Sequence, residues 1–165
     1  QLKQLWLTHP YLKGALWADA FHGFHKPHKL LRVRLAEEWS RLGYNFVPLV
    51  TEGLSLACGL DILFLRPSMP GELMKSGDID GRMKTLFDAL RMPDTVSELG
   101  GYKVPEDDEK PFYCLLQDDK LITHLSITTD ALLDPDAGIN DAHLVIAVNI
   151  KPVNMGWHNL NFGGA

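Results

Sequence analysis

Between Ser76 and Leu90 the chain reads SGDIDGRMKTLFDAL, which places Asp78 and Asp80 either side of one residue, Lys84 four residues on and Asp88 four beyond that. Two carboxylates at D-x-D spacing, joined by a third from elsewhere, make a hard-oxygen pocket suited to Mg²⁺ or Mn²⁺, ions that bind through few carboxylates plus water and phosphate. The bland alternative is an N-cap aspartate followed by i, i+4 charge pairs, each worth about 0.2–0.5 kcal/mol. One carboxylate caps a helix adequately, so the crowding of two is what that alternative leaves unexplained. A third carboxylate is offered by LLQDDKLI, where Asp118 and Asp119 stand immediately before an apolar run.

For these groups to meet, the segments carrying them must pack together. Met83, Leu86, Phe87 and Leu90 fall at i, i+3, i+4 and i+7, which predicts an amphipathic helix that stops before Pro93. At about 100° per residue, the line of Asp80, Lys84 and Asp88 lies roughly 110° from the centre of that stripe, on the rim of the packed face. Asp78 and Asp80 then sit at the helix entrance, facing the positive end of its dipole. If extended structure begins by Asp118, alternation puts Asp119 with Leu121, Thr123, Leu125 and Ile127, and Asp118 with Ile122, His124, Ser126 and Thr128. The first set is the more apolar, which directs Asp119 toward Asp78 and Asp80. Asp118 is turned away or left to support the ligands from behind.

The rest of the chain supplies the scaffold. From Pro27 to about Leu42, Leu31, Leu35 and Trp39 recur every fourth residue and Gly43 follows, which predicts a helix. LACGLDILFLRP reads as a strand ended by Pro67, and KLITHLSITTD and AHLVIAVNIKP read as two strands joined in an antiparallel hairpin by ALLDPDAGIND. Residues 1 to 26 show weak periodicity and are expected to be irregular, with at most one short helix. The order helix, strand, helix, long loop, strand, strand indicates a small α+β domain with helices on one face of a sheet.

At 165 residues, 45% of them hydrophobic and 22% charged, the chain is expected to fold as one domain rather than remain disordered. Two cysteines, Cys58 and Cys114, are too few for a disulfide framework or a four-thiolate zinc site, so a reducing, cytoplasmic setting is the expectation. No apolar run approaches the roughly 20 residues of a membrane span, and no signal-peptide pattern opens the chain, which starts at Gln1 rather than Met. The net charge of −5 argues against a general nucleic-acid binder, but it is unevenly spread. Residues 1 to 50 hold seven Lys or Arg against three Asp or Glu, and residues 51 to 165 hold nine against eighteen. A basic amino-terminal part beside an acidic remainder suits a phosphate-binding edge next to a carboxylate cluster.

Within that basic part, Lys26, Lys29, Arg32 and Arg34 are the candidate phosphate contacts, although such residues on the outer face of a helix are usually only solvated. His22, His25 and His28 have a spacing that zinc could use, but Pro27 interrupts helical geometry and no clear fourth ligand is near, so exposed or DNA-proximal histidines are the preferred reading. Trp6, Trp17, Trp39 and Trp157 read as core or subunit contacts. Ser55, Ser76 and Cys114 have no patterned histidine partner for nucleophilic catalysis.

Taken together, D-x-D-x-x-x-K-x-x-x-D-A-L followed by D-D-x-x-I at a strand start resembles the RusA family of Holliday junction resolvases, small metal-dependent endonucleases. The resemblance covers residues 60 to 151, with fewer than twenty specific positions. It implies that Asp78, Asp80 and Asp119 hold Mg²⁺ or Mn²⁺, with Asp118 beside them, and that Lys84 is the catalytic lysine. It also implies a mixed sheet with helices on one face, assembly as a homodimer, and branched DNA as the substrate, in recombination and repair. Residues 1 to 50 then form a divergent basic part, 91 to 117 an insert and 152 to 165 a tail. Gly81 stands where the family usually has Asn, and the insert carries the acidic PEDDEKP. These departures support a second expectation, a RusA-like domain that no longer cleaves and acts as a nucleic-acid-binding or structural protein.

Overall fold

In the computed structural model, which describes residues 1–17, 29–67, 79–134, 136–139, 141–156 and 158–162, the apolar run Leu56–Arg66 forms the longest strand. The elements in chain order are α1 (Leu2–Thr8), α2 (Leu31–Glu38), β1 (Ser40–Arg41), β2 (Tyr44–Val50), β3 (Leu56–Arg66), α3 (Ile79–Leu90), β4 (Phe112–Leu116), β5 (Ile122–Ala131) and β6 (His143–Pro152). The fold is α+β, with two three-stranded sheets, β1-β2-β4 and β5-β3-β6, each mixing parallel and antiparallel pairs. No described helix is long and apolar enough to cross a membrane.

Strand β3 is central to its sheet because it buries far more of its length than its neighbours do. Leu56, Ala57, Cys58, Leu60, Ile62 and Phe64 are buried. β5 runs parallel to β3 and β6 antiparallel, so the two strands expected as a hairpin flank β3 instead of pairing with each other. The physical reason is that β5 and β6 each bury little of their own surface and both need the apolar strand. The long connection after β5 is enough to step over it.

The second sheet departs further from the sequence reading. The helix expected from Pro27 to Leu42 is shorter, with Leu31 and Leu35 buried and the helix ending at Glu38. Gly43 is not its stop. Leu42 (φ 54°) and Gly43 (φ 83°) are the two central residues of a tight turn that pairs Arg41 with Tyr44. Positive φ at both centres is the signature of the turn whose twist matches a hairpin. β2 contains Pro48, which would ordinarily count against a strand, but β1 extends only to Asn45 on that edge, so the missing N–H costs no ladder bond there.

β4 lies inside residues 91–117, so this segment is more than an insert. It pairs in parallel with β2 and buries Cys114, Leu115 and Leu116. Nor are the residues after β6 a mere tail. The buried Asn159 donates to the backbone carbonyls of Leu54 (2.9 Å) and Asn154 (2.7 Å) and accepts from the Gly156 N–H (2.9 Å).

One apolar cluster joins both sheets and α3: Val47, Leu49 and Val50 of β2, Leu56, Cys58, Leu60 and Ile62 of β3, Leu115 and Leu116 of β4, and Met83, with Leu86, Phe87 and Leu90 packed against it. Leu60 lies fully buried at its middle. Leu60→Ala should therefore lower the free energy of unfolding by about 2–5 kcal/mol, read from the midpoint of urea denaturation.

Candidate metal centre and adjoining cleft

Helix α3 presents the predicted stripe. Met83 is buried, Leu86, Phe87 and Leu90 are partly buried, and Asp80 and Lys84 are exposed on the rim. Asp80 lies in the first turn, where the unpaired N–H groups favour a carboxylate. Asp78 lies outside the described residues. Asp88 belongs to a different set of contacts: Arg91 donates to it from Nε at 3.1 Å and also reaches Asp94 (2.6 Å) and Glu98 (3.2 Å).

The DD pair does not begin a strand. Asp119–Leu121 forms a 3-10 turn capped by Asp118, whose Oδ1 accepts from the Lys120 N–H at 3.0 Å, and β5 starts only at Ile122. The expected alternation from Asp118 fails for a second reason. Cys58 pairs with Ile122 but Gly59 pairs with His124, so Thr123 is an extra residue, a bulge that resets the faces. Ile122 and Ile127 therefore pack on the core, opposite Cys58 and Ile62, while Leu125, opposite Leu60, stays exposed at the sheet edge.

Different physics now separates the two aspartates. Asp118 is occupied by its cap and by Lys120 Nζ at 3.6 Å. The backbone hydrogen bond from Lys120 is the largest influence on it and holds its carboxyl below the usual range, with the Lys120 charge acting the same way. Asp119 is exposed, and its turn packs against α3. A cleft there is lined by Phe87, Asp119, Lys120, Ile122, Thr123, His124 and Leu125. Leu121, buried beneath the turn, and Phe87 both join the main core, which sets Asp119 beside the helix that carries Asp80 and Lys84.

Among the described residues, no group of three or more His, Cys, Asp or Glu converges as a ready-made ion cage. Mg²⁺ does not require one, since one or two carboxylates completed by water and phosphate suffice. The exposed oxygens of Asp80 and Asp119 are of the right chemical kind.

Next to the cleft, on the outer face of the β5-β3-β6 sheet, stand three residues that the sequence reading did not single out together: Asp61 (β3), His124 (β5) and Asn149 (β6). A charged residue inside the apolar run LACGLDILFL was the available signal, but only the register reveals its neighbours.

Of the candidate phosphate contacts, Lys29 is paired with Glu37 at 2.8 Å, and Arg32 donates to the Lys13 carbonyl at 2.8 Å. Arg34 lies 5.8 Å over the Trp17 ring and 3.8 Å from Glu38. The contacts of Arg32 with Lys13 and of Arg34 with Trp17 tie the segment before residue 18 to α2. Lys26 and the His22, His25, His28 set lie outside the described residues. Burial pushes the Cys114 thiol up to about 12 and raises that of Cys58, so neither provides a thiolate at neutral pH.

Because folding depresses the Asp118 carboxyl, its contribution to stability is complete above the unfolded value of about 3.9 and is lost as pH falls through the lower folded value. Asp118→Asn keeps the cap but removes the charge. The variant should show a flatter dependence of stability on pH below about 4 than the parent, measured by denaturant titration at a series of acid pH values.

No family model matches the chain, and neither the curated proteins nor the solved structures include a significant match to it.

Proposed function

We propose that the protein is a metal-dependent endonuclease that hydrolyses phosphodiesters in branched DNA such as Holliday junctions, with Asp78, Asp80 and Asp119 as the ion ligands and Lys84 as the charge-stabilising residue. The observation that carries this reading is the packing of the Asp119 turn against α3, whose exposed rim holds Asp80 and Lys84. The resemblance to the RusA family supplies the substrate class and the homodimer, in which two equivalent sites would face a nearly two-fold symmetric junction.

Mg²⁺ or Mn²⁺, when bound, lowers the pKa of its water and neutralises phosphate oxygens. The chain's own part is to hold two hard carboxylates on adjoining segments, Asp80 on the first turn of α3 and Asp119 on the capped turn. Lys84, one helical turn beyond Asp80, brings an ammonium to the same rim, where the transition state gains negative charge. Asp118 keeps Asp119 in place by fixing the turn rather than by ligation.

Incubation with four-way junctions, flaps and plain duplex should give nicking in Mg²⁺ or Mn²⁺ and none in chelator. Equal inactivity of folded protein on every substrate would remove the endonuclease reading and leave the non-cleaving DNA-binding or structural domain.

Asp80→Asn, which retains shape and capping capacity, should abolish cleavage with the fold and most of the DNA affinity intact. Asp119→Asn should fall to near background while Asp118→Asn is milder. Lys84→Ala should lower turnover more than metal affinity, and cutting at the parental rate would show that its assigned role is wrong.

A further inference from the structure

Gly59 is the residue across which His124 leans. A Cβ at that position would stand 3.3 Å from His124 Cβ and 3.6 Å from its Cδ2, so the missing side chain lets the imidazole lie over β3. His124 Nε2 then faces Asp61 Oδ1 at 3.7 Å, and the other oxygen of Asp61 accepts from Asn149 Nδ2 at 2.8 Å. Three strands thus supply one residue each to a single line on the outer face. Both titrating members remain open to water, with His124 62% and Asp61 47% exposed. His124 also lines the cleft that contains Asp119.

We infer that His124 is the general base of the proposed hydrolysis, oriented by Asp61, which Asn149 holds in turn. This inference rests on the endonuclease reading. Nε2 is the nitrogen on the Asp61 side, at 3.7 Å and so without a direct hydrogen bond, and Nδ1 is the nitrogen assigned to accept the proton. As the water oxygen bonds to phosphorus, Nδ1 takes the water's proton. The phosphorus–oxygen bond to the departing sugar breaks, its electron pair stays on that oxygen, and the oxygen takes a proton from solvent. The imidazolium then returns its proton to solvent. Among the described residues, the charged groups by His124 are Asp61 of β3 and, lining the same cleft, Asp119 and Lys120, with Phe87 the lining residue from α3. Asp61 is a positioning residue, because it acts through the imidazole.

The test compares the parent with His124→Gln, His124→Asn, Asp61→Asn and Asp80→Asn on a four-way junction, with thermal unfolding of each as a control. Both His124 variants should lose about 10²-fold or more in kcat with unchanged junction affinity. Their pH profile of kcat should differ from the parent's, which a merely structural role would not produce. Asp61→Asn should lower kcat and leave KM unaltered.

A readout independent of turnover is the NMR signal of the His124 ring, identified by its loss in His124→Gln. Mn²⁺ should broaden it in the parent and not in Asp119→Asn. A His124→Gln protein that cuts at the parental rate with the parental pH profile, while Asp80→Asn is dead, overturns this inference and leaves the endonuclease reading intact. So does a His124 ring signal untouched by Mn²⁺ in a cleaving parent. A parent that cuts no substrate removes both.

Discussion

The double ladder of β3 is the constraint on which the rest of the molecule depends. Cα partners run along nearly its whole length on both sides, to β5 in parallel and to β6 in antiparallel. A strand bonded on both edges whose core-side face is fully apolar must have that face covered, so burying it dictates what surrounds it. β5 and β6 satisfy its backbone. Its core-side residues Cys58, Leu60 and Ile62 draw in β2, β4 and α3 through one continuous cluster.

Placement of the candidate site follows from that register, together with one irregularity in it. Had β5 matched β3 residue for residue from Cys58 onward, every side chain after Ile122 would face the opposite way. Ile127 would then leave the core, and His124 would turn to the core side. The extra residue at Thr123 prevents this, keeping Leu125 and Ile127 opposite Leu60 and Ile62 and putting His124 opposite Gly59 on the open side. Bulges gather at sheet edges and next to active sites because they re-aim side chains there. Here the bulge follows the Asp119 turn directly and borders the cleft.

What the sequence disclosed depended on whether the deciding contact was local. The stripe of Met83, Leu86, Phe87 and Leu90 identified α3 and its exposed rim because helical periodicity is carried within the segment. β3, β5 and β6 were legible as strands for the same reason. Their arrangement was not, since sharing β3 is a contest between segments that no single segment records. β4 was hidden because its five residues sit among acidic turns, and β2 because Pro48 argues against a strand until the shortness of β1 is known. Preference for Asp119 over Asp118 was reached from strand alternation, and in place of that alternation the structure has a 3-10 turn capped by Asp118. Because β5 begins only at Ile122 and carries a bulge at Thr123, the alternation counted from Asp118 does not apply to the pair.

The same distinction assigns the acidic residues of α3 to separate tasks. Asp80, Lys84 and Asp88 form one line in sequence, but the far end of the line is bound into the scaffold by Arg91. That guanidinium is only 13% exposed and also contacts Asp94 and Glu98, while Arg41 meets Asp94 at 3.0 Å from the β1 side. Burial works against the Arg91 charge, but the Asp88 hydrogen bond and the carboxylates of Glu98 and Asp94 outweigh it and raise its pKa. An isolated exposed ion pair contributes little, whereas a largely buried cation shared among three carboxylates is a network whose geometry is held by several contacts at once. The carboxyl end of α3 is therefore fixed to the segment after it. Asp88 and Asp94 are occupied as structural anions, whereas Asp80, at the other end of α3, is exposed and takes no part in that network.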